Sequence, residues 1–338
     1  MSGLEDLNKS MRYEGIGADD RFLEALWSQT VDAVTKGARA LVLWGFSEVA
    51  VELVHRLDER GLLNAVTGIV DGDPSVQGTR LKHLSVISPS AVKALDLDTL
   101  VVTVDAQKEE VLRSFADSDV RMPRVIISGT GHLVFRDKLF EDVLSSLLAP
   151  SHAYGYRDML VHIYQALQYL AHRRLGGAIA EFGVYKAGTT VFIAKALRQL
   201  GVEAKIYAFD TFAGFPARRS VLDLFKDPRD VFLDYEAVAR MCEPYDIKFV
   251  TGDISETFDI LKGVPLMFSF FDTDNYSPTK AALETCYRQT IRGGILAFDH
   301  YCCDERWLYT IGERMAIREI LKYDDLFNLH GTGIFLRV

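Results

Sequence analysis

Short apolar runs alternate with amphipathic stretches along most of this chain. Between residues 39 and 130 the runs are Ala40–Gly45, Ala65–Val70, Thr99–Val104 and Arg124–Ile127, and Glu48–Arg60 has helical spacing. From residue 178 onward they are Ala178-Ile179-Ala180, Ile206–Phe209, residues 245–252, Pro265–Phe271 and Gly294–Phe298. Unbroken apolar runs of strand length suit strands buried on both faces. Between them lie helical patterns: Asp20–Lys36 with Phe22, Leu26, Val31 and Val34 inward, Arg157–His172 with Leu160, Ile163, Tyr164, Leu167 and Leu170, a helix through Val191, Ile193, Ala194 and Leu197, and Ser277–Thr290 with Pro278 in its first turn. Strands alternating with helices build parallel sheets. The expected fold class is therefore α/β, with two doubly wound Rossmann-like domains. Pro150-Ser151 marks the expected boundary, giving domains 1–150 and 151–338, and 338 residues suit two domains.

Other stretches lack this periodicity. Residues 1–18 are polar and glycine-containing, and read as a loose arm. Residues 217–244 are charged and irregular. They follow the second strand of the C-terminal unit, at the sheet edge where ligands bind. They are either a mobile substrate loop or a solvated surface helix.

Composition narrows the partners. About half the chain is apolar (49%), enough for substantial cores, and the net charge of −9 without a basic run argues against nucleic acid and anionic membrane. No apolar stretch approaches the ~18 residues of a membrane span, and MSGLEDLNKSMRYEG lacks the apolar core of a signal peptide. Cys242, Cys286, Cys302 and Cys303 have no C-x-x-C spacing. Reduced thiols in a cytoplasmic protein, assembled as a homo-oligomer, are the expectation.

The chemistry concentrates between Ala178 and Pro216. A strand ends in Glu181-Phe182-Gly183, a loop carries Gly188, Thr189 and Thr190, a helix follows, and a second strand ends on Asp210. Glycine at a strand end admits a ligand close to the backbone. The helix start offers free N–H groups. Asp210, about 27 residues after Gly183, can accept hydrogen bonds from ribose hydroxyls. The loop is neither G-x-G-x-x-G nor a P-loop, so a nucleoside without phosphates fits better than a pyrophosphate.

E-F-G-V-Y-K-A-G, D-T-F-A-G-F-P, F-D-T-D-N-Y-S-P-T (271–279) and G-G-I-L-A-F-D-H-Y (293–301) together resemble the macrocin O-methyltransferase family of class I S-adenosylmethionine-dependent methyltransferases. The resemblance runs from about Ser151 to Val338. It implies S-adenosyl-L-methionine as cofactor, with Glu181, Gly183, Gly188, Thr189, Thr190, Asp210, Thr211, Gly252, Asp253 and Asp272 around it. Asp253 falls where the family contacts adenine, though the following I-S-E-T also suits it as an N-cap. The family's Asp-x-Asp and Asp-Asp pattern makes Asp272 metal ligand and general base, and Asp299 a second ligand for a divalent cation such as magnesium.

Position 300 is His where the family pattern has Asp. Two readings stay open. Asp272, Asp299 and His300 hold a softer ion such as manganese or zinc, or no metal binds and His300 is the base, oriented by Asp272 or Asp299. The implied activity is O-methylation of a hydroxyl on a small metabolite, a sugar or nucleotide-sugar in a biosynthetic pathway. The alternative is a scaffold that binds the cofactor without turnover. The front segment resembles the small nucleotide-sugar-binding domain of some sugar acyltransferases. That fingerprint wants glycines at 47 and 50, where this chain has Ser47 and Ala50 beside Gly45. Both nucleotide binding and a structural or dimerising role follow as expectations.

Overall fold

The structure, a computed structural model, describes residues 18–117, 123–153, 158–226, 234–302 and 305–338. The expected N-terminal arm, Cys303, Arg157 and positions 227–233 of the charged insertion lie outside them. Contacts divide the chain between residues 135 and 136 into two compact units.

The first unit contains α1 (Ala18–Thr35), β1 (Leu41–Trp44), α2 (Glu48–Glu59), β2 (Val66–Val70), β3 (Arg80–Leu81), β4 (Leu84–Ile87), β5 (Thr99–Val102), α3 (Lys108–Ala116) and β6 (Arg124–Ile126). The sheet order is β3-β4-β2-β1-β5-β6, with β3 antiparallel to β4 and the other pairs parallel. The expected strands all form. The β3–β4 pair was not expected, because β3 is two residues long and β4 alternates buried and half-buried positions at the sheet margin. Gly45 (φ 111°) is required by packing: a Cβ there would lie 2.4 Å from Val104. Ser47 occupies the loop after it. Its hydroxyl donates to the Thr103 carbonyl (2.7 Å) and caps α2 by accepting from Ala50 N (3.2 Å).

The second unit begins earlier than residue 151. Helix α4 (Lys138–Ser145) belongs to it, because Phe140 packs edge-on against Tyr164 and Phe192 at centroid distances of 5.4 and 5.6 Å. Its N-cap Asp137 accepts from the Tyr164 hydroxyl (2.8 Å). Then follow α5 (Met159–Arg173), β7 (Ala178–Phe182), α6 (Gly188–Gln199), β8 (Ile206–Asp210), α7 (Tyr235–Cys242), β9 (Ile247–Thr251), the single turn α8 (Ile254–Thr257), β10 (Leu266–Phe271), α9 (Tyr276–Gln289), β11 (Thr290–Phe298), α10 (Ile311–Ile320), β12 (Leu326–Asn328) and β13 (Ile334–Arg337). The sheet order is β12-β13-β11-β10-β7-β8-β9. Strands β7 to β11 run parallel, and β13 pairs antiparallel with β11 and β12. Strand order reverses between β7 and β10, and the crevice at such a switch point is where ligands bind in this architecture.

Four rings set the level of that crevice. Phe209, Phe182, Phe271 and Phe298 are register partners across β8, β7, β10 and β11. They stack at successive centroid distances of 4.6, 4.6 and 5.2 Å, and all are fully buried. Each ring immediately precedes a residue of the site: Asp210, Gly183, Asp272 and Asp299. Aligned stacking therefore places four strand ends at one height.

Candidate active site

A cavity of about 1340 Å³, counting its open mouth, lies at this edge.

Gly183 sits at its base with φ 91°. A Cβ at this position would lie 1.8 Å from the Asp272 carbonyl oxygen. The glycine is thus fixed first by the close approach of β7 and β10 at the switch point. The following loop is strained, with Tyr185 (φ 49°) and Ala187 (φ 59°) left-handed. Asp210 holds it. One carboxylate oxygen accepts from Val184 N (2.9 Å) and Tyr185 N (2.8 Å), and the other from Phe212 N (2.8 Å). Asp210 and Thr211 line the cavity, so the acid braces the loop and faces the ligand space together.

The start of α6 differs from expectation. A Cβ on Gly188 would lie 2.0 Å from the Pro150 carbonyl, and the Thr189 hydroxyl bonds Ser151 Oγ (2.7 Å). Gly188, Thr189 and Thr190 are buried beneath residues 150–151 and are not in the cavity wall. Gly252 (φ 130°) is also behind the wall, its N–H donating to the Asp210 carbonyl (2.9 Å). Asp253 does line the cavity. It caps α8 through Ser255 N (2.8 Å) and binds Arg219 (2.8 Å), so the N-cap reading and a wall position coexist.

Glu181 is fully enclosed on β7, and neither carboxylate oxygen has a hydrogen-bond partner among the described residues. Burial pushes its pKa up to about 8. The nearby Thr190 hydroxyl opposes this, without bonding geometry, and Asp272 and Asp210 reinforce it. An orphaned buried carboxylate at the switch point suits a cationic ligand group such as an α-ammonium. Glu181 itself lies behind the cavity wall, whereas Asp210 and Asp253 line it, and these two acceptors fit the ribose and adenine parts of S-adenosylmethionine.

The ends of β10 and β11 carry the most concentrated chemistry. Asp299 N donates to the Phe271 carbonyl (2.9 Å), which brings the two ends together as expected. His300 Nε2 lies 3.0 Å from Asp274, 3.3 Å from Asp272 and 3.5 Å from Asp299. Burial alone would lower the His300 pKa, but Asp299, Asp272 and Asp274 outweigh it and raise it well above the ordinary value. Burial raises Asp272 to about 7, against the pull of His300. Donor atoms of Asp272, Asp274 and His300 lie within 4.8 Å of one another and could share one cation. Asp299, expected in that role, is enclosed behind His300, and Asp274 takes its place at the cavity wall.

Three further acids or amides support this edge. Glu313, buried on α10, accepts from Thr273 N (3.1 Å), Thr273 Oγ1 (3.2 Å) and His300 N (3.2 Å), joining both loops. Asp223 accepts from Arg219 N, Ser220 N and both Ser277 donors, and Asn275 bonds Phe225 N (3.0 Å) and O (3.1 Å). Within the charged insertion, residues 217–226 are therefore a pinned loop, while Tyr235–Cys242 form the helix α7. Sequence reasoning passed over Asp274 and Glu313, although D-T-D and an acid on the inner face of an apolar helix were both legible.

A glycine-ended strand, an acid ending its neighbour and an acid cluster at the switch point define a Rossmann-like S-adenosylmethionine-dependent methyltransferase. The chain belongs to the macrocin O-methyltransferase (TylF) family, whose model matches residues 148–337, and it is an S-adenosylmethionine-dependent O-methyltransferase. Among solved structures it is similar to the O-methyltransferase NovP (22% identity over 53% of this chain and 78% of that one, TM-score 0.43). It is also similar to the calicheamicin methyltransferase CalS11 (24%, 62% and 98%, TM-score 0.41) and to the S-adenosylhomocysteine-bound Podospora anserina methyltransferase PaMTH1 (16%, 60% and 95%, TM-score 0.34). No curated protein sequence matches the chain. Among the described residues no helix is long and apolar enough to cross a membrane.

Proposed function

We propose that the acceptor is a hydroxyl of a small polar metabolite, a sugar or nucleotide-linked sugar, and that Asp272 removes its proton. The observation that supports this is the setting of His300. A ring nitrogen facing three carboxylates at 3.0–3.5 Å carries a proton and is not free to accept one. Because Asp299, Asp272 and Asp274 also raise the His300 pKa well above the ordinary value, His300 acts as a fixed positive charge, and Asp272, which lines the cavity with a raised pKa, is the better base. Bound S-adenosylmethionine supplies an electrophilic sulfonium methyl. Asp210 and Asp253 orient the nucleoside, and the imidazolium stabilises the developing alkoxide.

A second reading rests on the Asp272, Asp274 and His300 donor set. These residues would hold a divalent cation, manganese more readily than magnesium because one donor is imidazole, and the ion would acidify a bound hydroxyl. Chelation separates the two. On the first reading, activity survives EDTA. Loss with EDTA and recovery with manganese overturns it in favour of the second.

For the front domain we propose a structural, dimerising role in a cytoplasmic homo-oligomer that binds neither nucleic acid nor membrane. Ser47, whose hydroxyl fills the loop where a nucleotide-sugar phosphate would pass, supports this over the acyltransferase-like reading. Saturable binding of uridine or thymidine nucleotides by an Asp210→Ala protein, whose methyl-donor site is impaired, would oppose it. Sedimentation of the full chain tests the assembly.

A further inference from the structure

We propose that Trp307, Phe225 and Phe215 form the acceptor subsite and that its ligand is a pyranose ring packed by its C–H face on Trp307. This deepens the reading above and rests on it.

All three rings line the cavity and are only partly buried. Trp307 lies 5.8 Å from the His300 ring, centroid to centroid, so the wall starts beside the acid cluster. It continues through Phe225 (6.4 Å from Trp307) to Phe215 (5.6 Å from Phe225). The wall is held in place. Asn275, itself buried, bonds both backbone groups of Phe225, and Asp223 ties the same loop to the start of α9. The Trp307 carbonyl accepts from the buried Thr310 hydroxyl (2.6 Å). Half-exposed aromatics on a braced backbone present apolar area at little entropic cost.

The geometry selects the ligand class. Phe225 is tilted 46° to Trp307 and Phe215 is 70° to Phe225, so the rings make a curved wall and not a parallel slot. A pyranose has one face of weakly positive C–H bonds, which suits the negative face of an indole, and a rim of hydroxyls. Here the apolar wall meets Asp272 and Asp274, so a ring on Trp307 turns its hydroxyl edge to the base.

The test uses the full-length protein, with Trp307→Ala, Trp307→Phe and Phe225→Ala. Saturation-transfer NMR in the presence of S-adenosylhomocysteine reads binding of methyl α-rhamnopyranoside, thymidine-diphosphate-linked rhamnose and catechol. The wild type and Trp307→Phe should transfer saturation to pyranose ring protons. Trp307→Ala should weaken pyranose binding about tenfold, and Phe225→Ala should weaken it less. Donor affinity, measured by calorimetry, stays at the wild-type value and certifies the fold. Equal pyranose binding by wild type and Trp307→Ala, no pyranose binding by the wild type, or displacement of the sugars by catechol overturns the subsite. Product analysis separates this from the underlying reading: methylated catechol without methylated sugar removes the subsite and leaves O-methylation by Asp272, whereas a methylated sugar formed at the wild-type rate by Asp272→Asn removes the base and leaves the subsite.

Discussion

Glu181 makes the stability of the C-terminal unit pH-dependent in an unusual direction. In the fold its pKa is about 8, with burial the main cause, while the ordinary glutamate value is 4.5. Between these values the folded protein keeps a proton that the unfolded chain has lost. The folded state binds more protons, so stability falls as pH rises. The contribution is fully present below 4.5 and gone above about 8, and the interval corresponds to about 5 kcal/mol at 1.36 kcal/mol per pH unit. That is a ceiling, because water entry and relaxation reduce such penalties. Glu181→Gln keeps the shape and removes the titration. Urea unfolding of both proteins near pH 5 and near pH 8.5 should show the variant gaining on the wild type at the higher pH, by ~2 kcal/mol or more. Trp307 fluorescence reports the relevant transition, since the other two tryptophans, Trp27 and Trp44, lie in the first unit. Asp272 and Glu313, also raised to about 7 chiefly by burial, titrate in both proteins, and the Asp272 charge acts on Glu181 only in the wild type. Parallel pH dependences would refute the reasoning.

Asp210→Ala removes the acceptor of three backbone N–H groups, so it should lower unfolding stability by about 3 kcal/mol or more and raise the donor dissociation constant at least about tenfold. Calorimetry and chemical denaturation check both. Gly183→Ala places a Cβ 1.8 Å from the Asp272 carbonyl at φ 91°. It should cost about 3 kcal/mol or more and abolish donor binding, and an unchanged melting temperature would contradict the packing. With Asp272 raised to about 7 as the base, kcat/KM should climb with pH through about 7 and level off above. A flat profile in a pH-rate series would remove that assignment.

The sheet edges were legible because apolar strands end abruptly in Gly183, Asp210, Asp272 and Asp299, and parallel pairing aligns those ends. Four phenylalanines one step earlier in each strand strengthened a signal already present. The start of α6 misled because a loop rich in glycine and threonine reads the same whether it faces a ligand or is packed under Pro150-Ser151. Only the contact at Gly188 distinguishes the two. The domain boundary shifted for a similar reason. Pro150 punctuates the chain, but Phe140 chooses its partners through tertiary packing against Phe192 and Tyr164. That Asp274 joins Asp299 beside His300, and is the one of the two that lines the cavity, goes with a left-handed Asp274 (φ 60°), which no spacing rule reveals. The aromatic wall draws Phe215, Phe225 and Trp307 from separate segments, so it emerges only on folding.

The central claim is that Asp272, beside a protonated His300, deprotonates the acceptor hydroxyl. The direct measurement is S-adenosylhomocysteine release from a panel of hydroxylated sugars, comparing wild type with Asp272→Asn at saturating donor. The account predicts a fall of about 10²–10⁴-fold in turnover with donor affinity retained by calorimetry. Wild-type turnover by Asp272→Asn on the same acceptor would contradict it.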